Sequence, residues 1–181
     1  MPGQFGRLDD SRLECMKRTR RYPASGIAAS DVEGIENRQG AVRVEMRALL
    51  AFTNRAKLDL GLGQESVAIR LINDREMARL NETYRNKKGT TDVLSFPAEA
   101  RRRPSNLRHR LKKVRDAQLG DIAISPVVAR RNAKRYRRKL TEEIQILILH
   151  GILHLLGYDH ETDRGEMEQV ELRLRRRLGT A

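Results

Sequence analysis

Apolar residues recur at helical spacing in some stretches of the chain and alternate in others. From Val42 to Leu58 the run VRVEMRALLAFTNRAKL puts Val44, Leu49, Leu50 and Phe52 on one stripe among good helix formers. This predicts a helix that Gly61 and Gly63 end. Ser66 to Ile72 (SVAIRLI) alternates and is rich in β-branched residues, which predicts a strand. Asn73-Asp74 reads as the start of a helix that runs through REMARLNETYR and stops before Lys87-Lys88-Gly89. Thr91 to Phe96 (TDVLSF), closed by Pro97, and Leu119 to Ser125 (LGDIAIS) predict two further strands. Pro126 suits the first turn of a helix that VVARRNAKRYRRK continues.

Thr141 reads as the N-cap of the next helix, with Glu142 and Glu143 at its positive end. Ile144, Ile148, Gly151 and Leu155 then recur at helical spacing and face the core, and Gly157 ends the helix. A last amphipathic helix spans Asp163 to Leu178, with Met167, Val170, Leu174 and Leu178 on one side. Strands and helices interleave without an internal repeat. The expectation is an α+β fold: a small mixed sheet of roughly three to four strands packed with about five helices around a central one.

With 181 residues the chain has room for one domain and a tail. Residues 1–40 mix Gly, Ser, Pro and charge without sustained periodicity and are expected to form a flexible N-terminal extension. Residues 41–181 are expected to form the single domain. A basic insertion at residues 98–118 interrupts it, with eight basic residues against two acidic ones.

Composition narrows the partners. Lys and Arg number 37 against 24 Asp and Glu, a formal charge of +13. Such a surplus attracts nucleic acid, an anionic membrane surface or an acidic protein. Aromatic residues are 4% with no Trp, so the core is mainly aliphatic. The single cysteine, Cys15, excludes an internal disulfide framework and a multi-cysteine zinc site, and fits a reducing compartment. The N-terminus lacks the apolar centre of a secretory signal, and no run reaches ~18 uncharged apolar residues. The chain therefore reads as cytoplasmic, without a membrane segment.

Three of the four histidines fall within HGILHLLGYDH: His150, His154 and His160. Positions i and i+4 share one helix face, so the His150 and His154 rings can converge. A turn at Gly157 can bring His160 to the same point. Three imidazoles leave a fourth tetrahedral position for water, the pattern of catalytic zinc. Imidazole also suits nickel, iron and copper. The alternative is three surface or core histidines without metal. The spacing is that of the metzincin proteases, except that Gly151 stands where they carry a Glu. That Glu is their general base, so its absence speaks against peptide hydrolysis. A glycine there also admits close approach by backbone or substrate.

HGILHLLGYDH, with LNETYRNKKGTTDVLSFP and LGDIAIS, resembles the YbeY family of bacterial endoribonucleases that act in rRNA maturation. The resemblance runs from Val67 to Pro97 and from Leu119 to His160. It implies that His150, His154 and His160 hold one zinc ion (Zn2+), other divalent transition metals being possible. It also implies that Arg85, in the LNETYR element, is the catalytic arginine. The implied activity is metal-dependent, single-strand-specific RNA cleavage in 16S rRNA 3′-end maturation and ribosome quality control. The implied partners are rRNA, the small ribosomal subunit, a ribosomal protein and an assembly GTPase. The N-terminal extension and the basic insertion are longer than the family leads one to expect, and neither touches a motif residue.

From the residues alone, Arg85 can grip a phosphate bidentately or can be a surface salt bridge or helix-end charge. Asp92 and Asp121 can orient a ligand histidine, but backbone and turn hydrogen bonds are the commoner use. Ser95 lacks a free base beside it. Tyr158 and Asp159 fit the chain reversal, and His109 reads as solvated. The basic residues of 98–118 and of 130–138 can follow an RNA backbone or simply face water. Two rival readings stay open: a peptidase-like metallohydrolase, and a non-catalytic ribosome-assembly factor whose metal only holds the fold.

Overall fold

The computed structural model describes residues 34–62, 67–98, 118–160 and 163–180. Alternation in SVAIRLI becomes strand β2 (Val67–Leu71), with Val67, Ile69 and Leu71 buried and Ala68 and Arg70 half-buried. On one side β2 pairs in parallel with β1 (Ile35–Asn37). On the other it pairs in parallel with β4 (Gly120–Ile124), Ile69 opposite Ile122. Strand β3 (Val93–Pro97) closes the far edge, antiparallel to β4, so the order is β1-β2-β4-β3. The mixed four-stranded sheet with its helices is the α+β architecture the sequence leads one to expect.

The two faces of the sheet are covered differently. One face presents Val67, Ile69, Leu71, Ile122 and Ile124 to the main core. Helices α1 (Met46–Asp59) and α4 (Leu140–Leu155) pack there, and α5 (Glu166–Leu178) adds Met167, Leu174 and Leu178. The other face takes Met77 and Leu80 of α2 (Asp74–Arg85) against Leu94 and Ala123. Tyr84 meets Phe96 edge-on there, with ring centres 5.0 Å apart. Helix α3 (Pro126–Arg135) follows β4 directly and packs along α4.

Helix α4 is central because it is apolar almost all round. Ile144, Ile148, Leu149, Ile152 and Leu153 are all fully buried. Each such side chain contributes roughly 1.5–3 kcal/mol by leaving water. The helix crosses β4 at Gly151, where a Cβ would lie 2.8 Å from Ile122 Cδ1 and 3.0 Å from Ile122 Cγ2. Gly120 makes the second close approach. Its φ is +144°, and a Cβ there would meet the Phe96 carbonyl at 2.3 Å and Leu155 Cδ2 at 2.9 Å.

Caps explain most of the boundaries. Asn73 accepts the Glu76 N–H at 2.9 Å, as the sequence suggests. Ser125 caps α3 by accepting the Val128 N–H, and its hydroxyl donates to Asp74 at 2.6 Å, tying two helix starts together. Asp163 accepts the N–H groups of Gly165 and Met167, both at 2.8 Å, so the last helix begins at Glu166 and not at Asp163. Helix α1 begins at Met46 and not at Val42, because the Gln39 side chain holds both the N–H and the C=O of Val42. Thr141 is not an N-cap. Lys139 is already extended and the helix starts at Leu140, while the Thr141 hydroxyl donates to Glu45 at 3.4 Å.

The expected flexible extension over residues 1–40 needs correction at its end. Ile35–Asn37 is the edge strand β1, and Ile35 is 3% exposed in the main core. A strand of three residues is too short to show a period. Residues 1–33 lie outside the described residues, as do 99–117 of the basic insertion. The two ends of that insertion meet where the Ala98 N–H donates to the Leu119 carbonyl at 3.1 Å. Among the described residues no helix is long and apolar enough to cross a membrane.

Gly120→Ala should destabilise the fold by more than about 2 kcal/mol, since the added carbon meets backbone that cannot step aside. The urea midpoint measures this; a midpoint equal to that of the unsubstituted chain would contradict the close approach.

Candidate metal centre

Helix α4 carries His150 and His154 one turn apart near its C-terminal end. The helix then stops in a Schellman turn. Gly157 takes φ +92°, its N–H donates to the His154 carbonyl at 2.9 Å, and the Tyr158 N–H donates to the Leu153 carbonyl at 3.1 Å. The reversal returns the chain across the helix end and brings His160 beside the other two. The ring centres lie 4.7, 5.4 and 5.2 Å apart.

One nitrogen from each ring falls within 4.8 Å of the other two, and the Nε2 atoms of His150 and His154 are 3.1 Å apart. Two donors bound to one ion at ~2.0–2.1 Å with a tetrahedral angle sit ~3.3 Å apart. The His150–His154 pair is close to that spacing, and the three residues form a group able to hold a metal ion. His150 and His154 are half-buried and His160 is exposed, so the group opens to solvent on the His160 side.

Glu171 of α5 completes the arrangement. Its Oε2 lies 2.9 Å from His150 Nδ1, and its other oxygen lies 3.8 Å from Arg175 Nη1 one turn along. An ionised carboxylate only accepts, so Nδ1 carries the proton and the Nε2 lone pair of His150 is left for a ligand role. The sequence reading missed Glu171. Its signal was present: Glu171 stands four residues after Met167 and three before Leu174, a carboxylate on the apolar face of α5.

Burial, and then the neighbouring His150 and His160, lower the pKa of His154 below the usual 6.5, with Asp159 pulling the other way. Its ring is held neutral, the form that binds metal.

The remaining candidates fall elsewhere. Asp92 accepts from the Val93 N–H, the Thr91 hydroxyl and the Asn132 amide, a purely structural use. Asp121 pairs with Arg70 at 3.1 Å on the sheet. Ser95 stands half-buried on the edge strand opposite Ile122. Gly151 gives close approach to Ile122, not to a substrate, and a Glu there would be driven into the core. Arg85 is the exposed last residue of α2. Its neighbour Tyr84 packs on Phe96, which pairs with Asp121, while Leu155 packs on Gly120. Helices α2 and α4 thus end at the same end of the β3–β4 pair, on opposite faces.

These features define a class: an α+β protein with an open three-histidine group where its buried helix ends. The family profile described as endoribonuclease YbeY matches residues 32–179. A protein named endoribonuclease YbeY from Koribacter versatilis (strain Ellin345) is 40% identical over 135 residues, 75% of this chain and 78% of that protein. One of the same name from Sulfurovum sp. (strain NBC37-1) is 38% identical over 133 residues, 74% and 82% of the two chains. The solution structure of TM1509 from Thermotoga maritima superposes with a TM-score of 0.53 at 24% identity, over 80% of this chain and 87% of that one, and shares the fold. The chain belongs to the YbeY endoribonuclease family.

The His154 shift has a sign that can be measured. In metal-free protein the unfolded chain takes up the proton first, so stability is full above pH 6.5 and declines as the pH falls below it. Urea midpoints between pH 7.5 and about 5 should show this decline, and His154→Gln should flatten that part of the curve.

Proposed function

We propose that this endoribonuclease is zinc-dependent and single-strand-specific, and that it acts in the cytoplasm in 16S rRNA 3′-end maturation and ribosome quality control. The observation that carries the metal dependence is the convergence of His150, His154 and His160, with Nε2 atoms 3.1 Å apart on the first two. The three imidazoles would hold the ion, and Glu171 would keep His150 in the tautomer that binds it. A divalent ion there supplies Lewis acidity and a bound water that ionises near neutral pH.

The protein's own residues do the rest. Arg85 would hold the scissile phosphate through two parallel hydrogen bonds and offset charge that builds on its oxygens. The exposed side at His160 leaves room for a strand. The charge of +13 supplies affinity for the RNA backbone and makes it salt-dependent. In this reading the protein works on rRNA in the small subunit, with a ribosomal protein and an assembly GTPase as partners.

The test measures metal content and RNA cleavage in the same purified preparations. The wild-type chain should carry one ion and cut single-stranded rRNA. His154→Ala should lose both. Glu171→Gln should bind the ion about 10- to 100-fold more weakly. Arg85→Ala should keep the ion and the fold while kcat falls by about 10²–10³. Product ends read the route: a 2′,3′-cyclic phosphate marks attack by the ribose hydroxyl, and its absence marks attack by water. Equal RNA decay in every preparation, with the ion bound in the wild-type chain and lost from His154→Ala, would overturn the nuclease assignment and favour an assembly factor with a structural ion.

A further inference from the structure

Helix α3 ends at a place the metal centre does not use. Residues 130–139, RRNAKRYRRK, carry seven Lys and Arg and no acidic residue. The helix closes in a Schellman turn, with the Arg138 N–H on the Ala133 carbonyl at 2.8 Å and the Arg137 N–H on the Lys134 carbonyl at 3.3 Å. The left-handed position of such a turn normally belongs to glycine or asparagine. Helices α2, α4 and α5 follow that rule with Asn86, Gly157 and Gly179. Helix α3 puts Arg137 there, at φ +55°. A charged side chain is kept where the backbone prefers none.

The turn also holds an aromatic ring out in solvent. Tyr136 is 52% exposed, and the guanidinium carbons of Arg135 and Arg138 lie 5.7 and 5.1 Å from its ring centre. Arg138 is not free to swing, because its Nη1 pairs with Glu143 Oε2 at 3.0 Å and that carboxylate side chain is 5% exposed. The ring is therefore backed by a guanidinium fixed from the core. Among the described residues no carboxylate pairs with Arg130, Lys134, Arg135, Arg137 or Lys139.

From this geometry we infer that Tyr136, with Arg135, Arg137 and Arg138, forms a second RNA contact, on which one unpaired base stacks while its flanking phosphates meet the guanidiniums. The inference rests on the proposed RNA substrate and names a site on it apart from the cleavage centre. An exposed ring backed by one fixed cation suits a single strand, whose bases offer free faces. A duplex keeps its bases stacked inside. An acidic peptide matches the charge but brings nothing planar for the ring.

The distance is set by α4. From Lys139 to His154 the helix rises about 22 Å at 1.5 Å per residue. A strand that touches both the Tyr136 turn and the histidines must therefore span roughly six stacked nucleotides at ~3.4 Å each. Longer single strands are held at two points, and very short ones reach only one.

Fluorescence anisotropy of the full chain with a labelled 12-nucleotide single strand, a 4-nucleotide strand and a 12-base-pair duplex tests the inference. Tyr136→Ala should weaken the 12-nucleotide strand at least about five-fold, Tyr136→Phe should restore it, and the duplex should not respond. Arg137→Gly should bind the 12-nucleotide strand more weakly, with a salt slope shallower by about 0.7, yet melt no lower than wild type, because glycine suits that φ. A structural role alone would move the melting temperature and not the salt slope. The inference is overturned if Tyr136→Ala binds the strand as wild type does, or if the duplex loses affinity equally. It also falls if poly-glutamate displaces the RNA as well as unlabelled RNA does, which would assign the turn to an acidic protein. Cleavage is followed in parallel. Cleavage that persists alongside an unresponsive Tyr136→Ala sinks only this contact. Tyr136-dependent binding without any cleavage sinks only the nuclease assignment.

Discussion

Helix α4 lies against strand β4 at a separation set by two glycines. Gly151 removes the side chain that would meet Ile122, and Gly120 removes the one that would meet Phe96 and Leu155. Close packing makes the position of the helix a hard constraint, because neither side can shift without opening a void or a clash. Everything at the end of α4 inherits that constraint. His150 and His154 stand where the helix puts them, and the Gly157 turn begins at a fixed point. The same glycine that seats the helix also occupies the place of the protease general base. Close packing and the absence of a carboxylate at that point have one cause.

The histidine group draws on three pieces of chain that meet only in the folded state. Helix α4 gives two rings, the reversal after Gly157 gives the third, and α5 gives the carboxylate that sets the His150 tautomer. Helix α5 reaches the site because its apolar stripe, Met167, Leu174 and Leu178, docks into the main core. Glu171 rides on that stripe and is half-buried with it, which strengthens its hold on His150 Nδ1. Burial and neighbouring rings keep His154 neutral, so protein packing and ligand chemistry act in the same direction.

Charge is arranged around this apolar frame and not within it. Among the described residues the one strongly buried carboxylate, Glu143, is lifted in pKa by its burial and is answered by Arg138. That pair joins the core of α4 to the basic turn after α3. It makes the turn stiff while its other cations stay in solvent. A surplus of charge attracts any polyanion at long range. A stiff turn with an exposed ring is what converts attraction into a contact of defined shape. The histidines and the Tyr136 turn occupy opposite ends of one helix, so a single rigid element sets the distance between them.

The sequence determined a good part of this. Strands and helices follow from local pattern, and three strands, β2, β3 and β4, lie within a residue or two of their predicted bounds, because pattern is a property of neighbouring residues. The histidine trio was legible for the same reason: spacing of four on a helix, then a glycine, is local geometry. Tertiary structure decided what local pattern cannot carry. Ile35–Asn37 is a strand only because β2 offers it an edge. The start of α1 is fixed by Gln39 reaching Val42, and the start of α4 by an extended Lys139. Glu171 became a partner of His150 across 21 residues of chain, and Gly151 turned its open side to Ile122. Arg138 reaches the buried Glu143 where α3 packs along α4. Contacts between elements depend on how the elements pack, and packing is settled by the whole core at once.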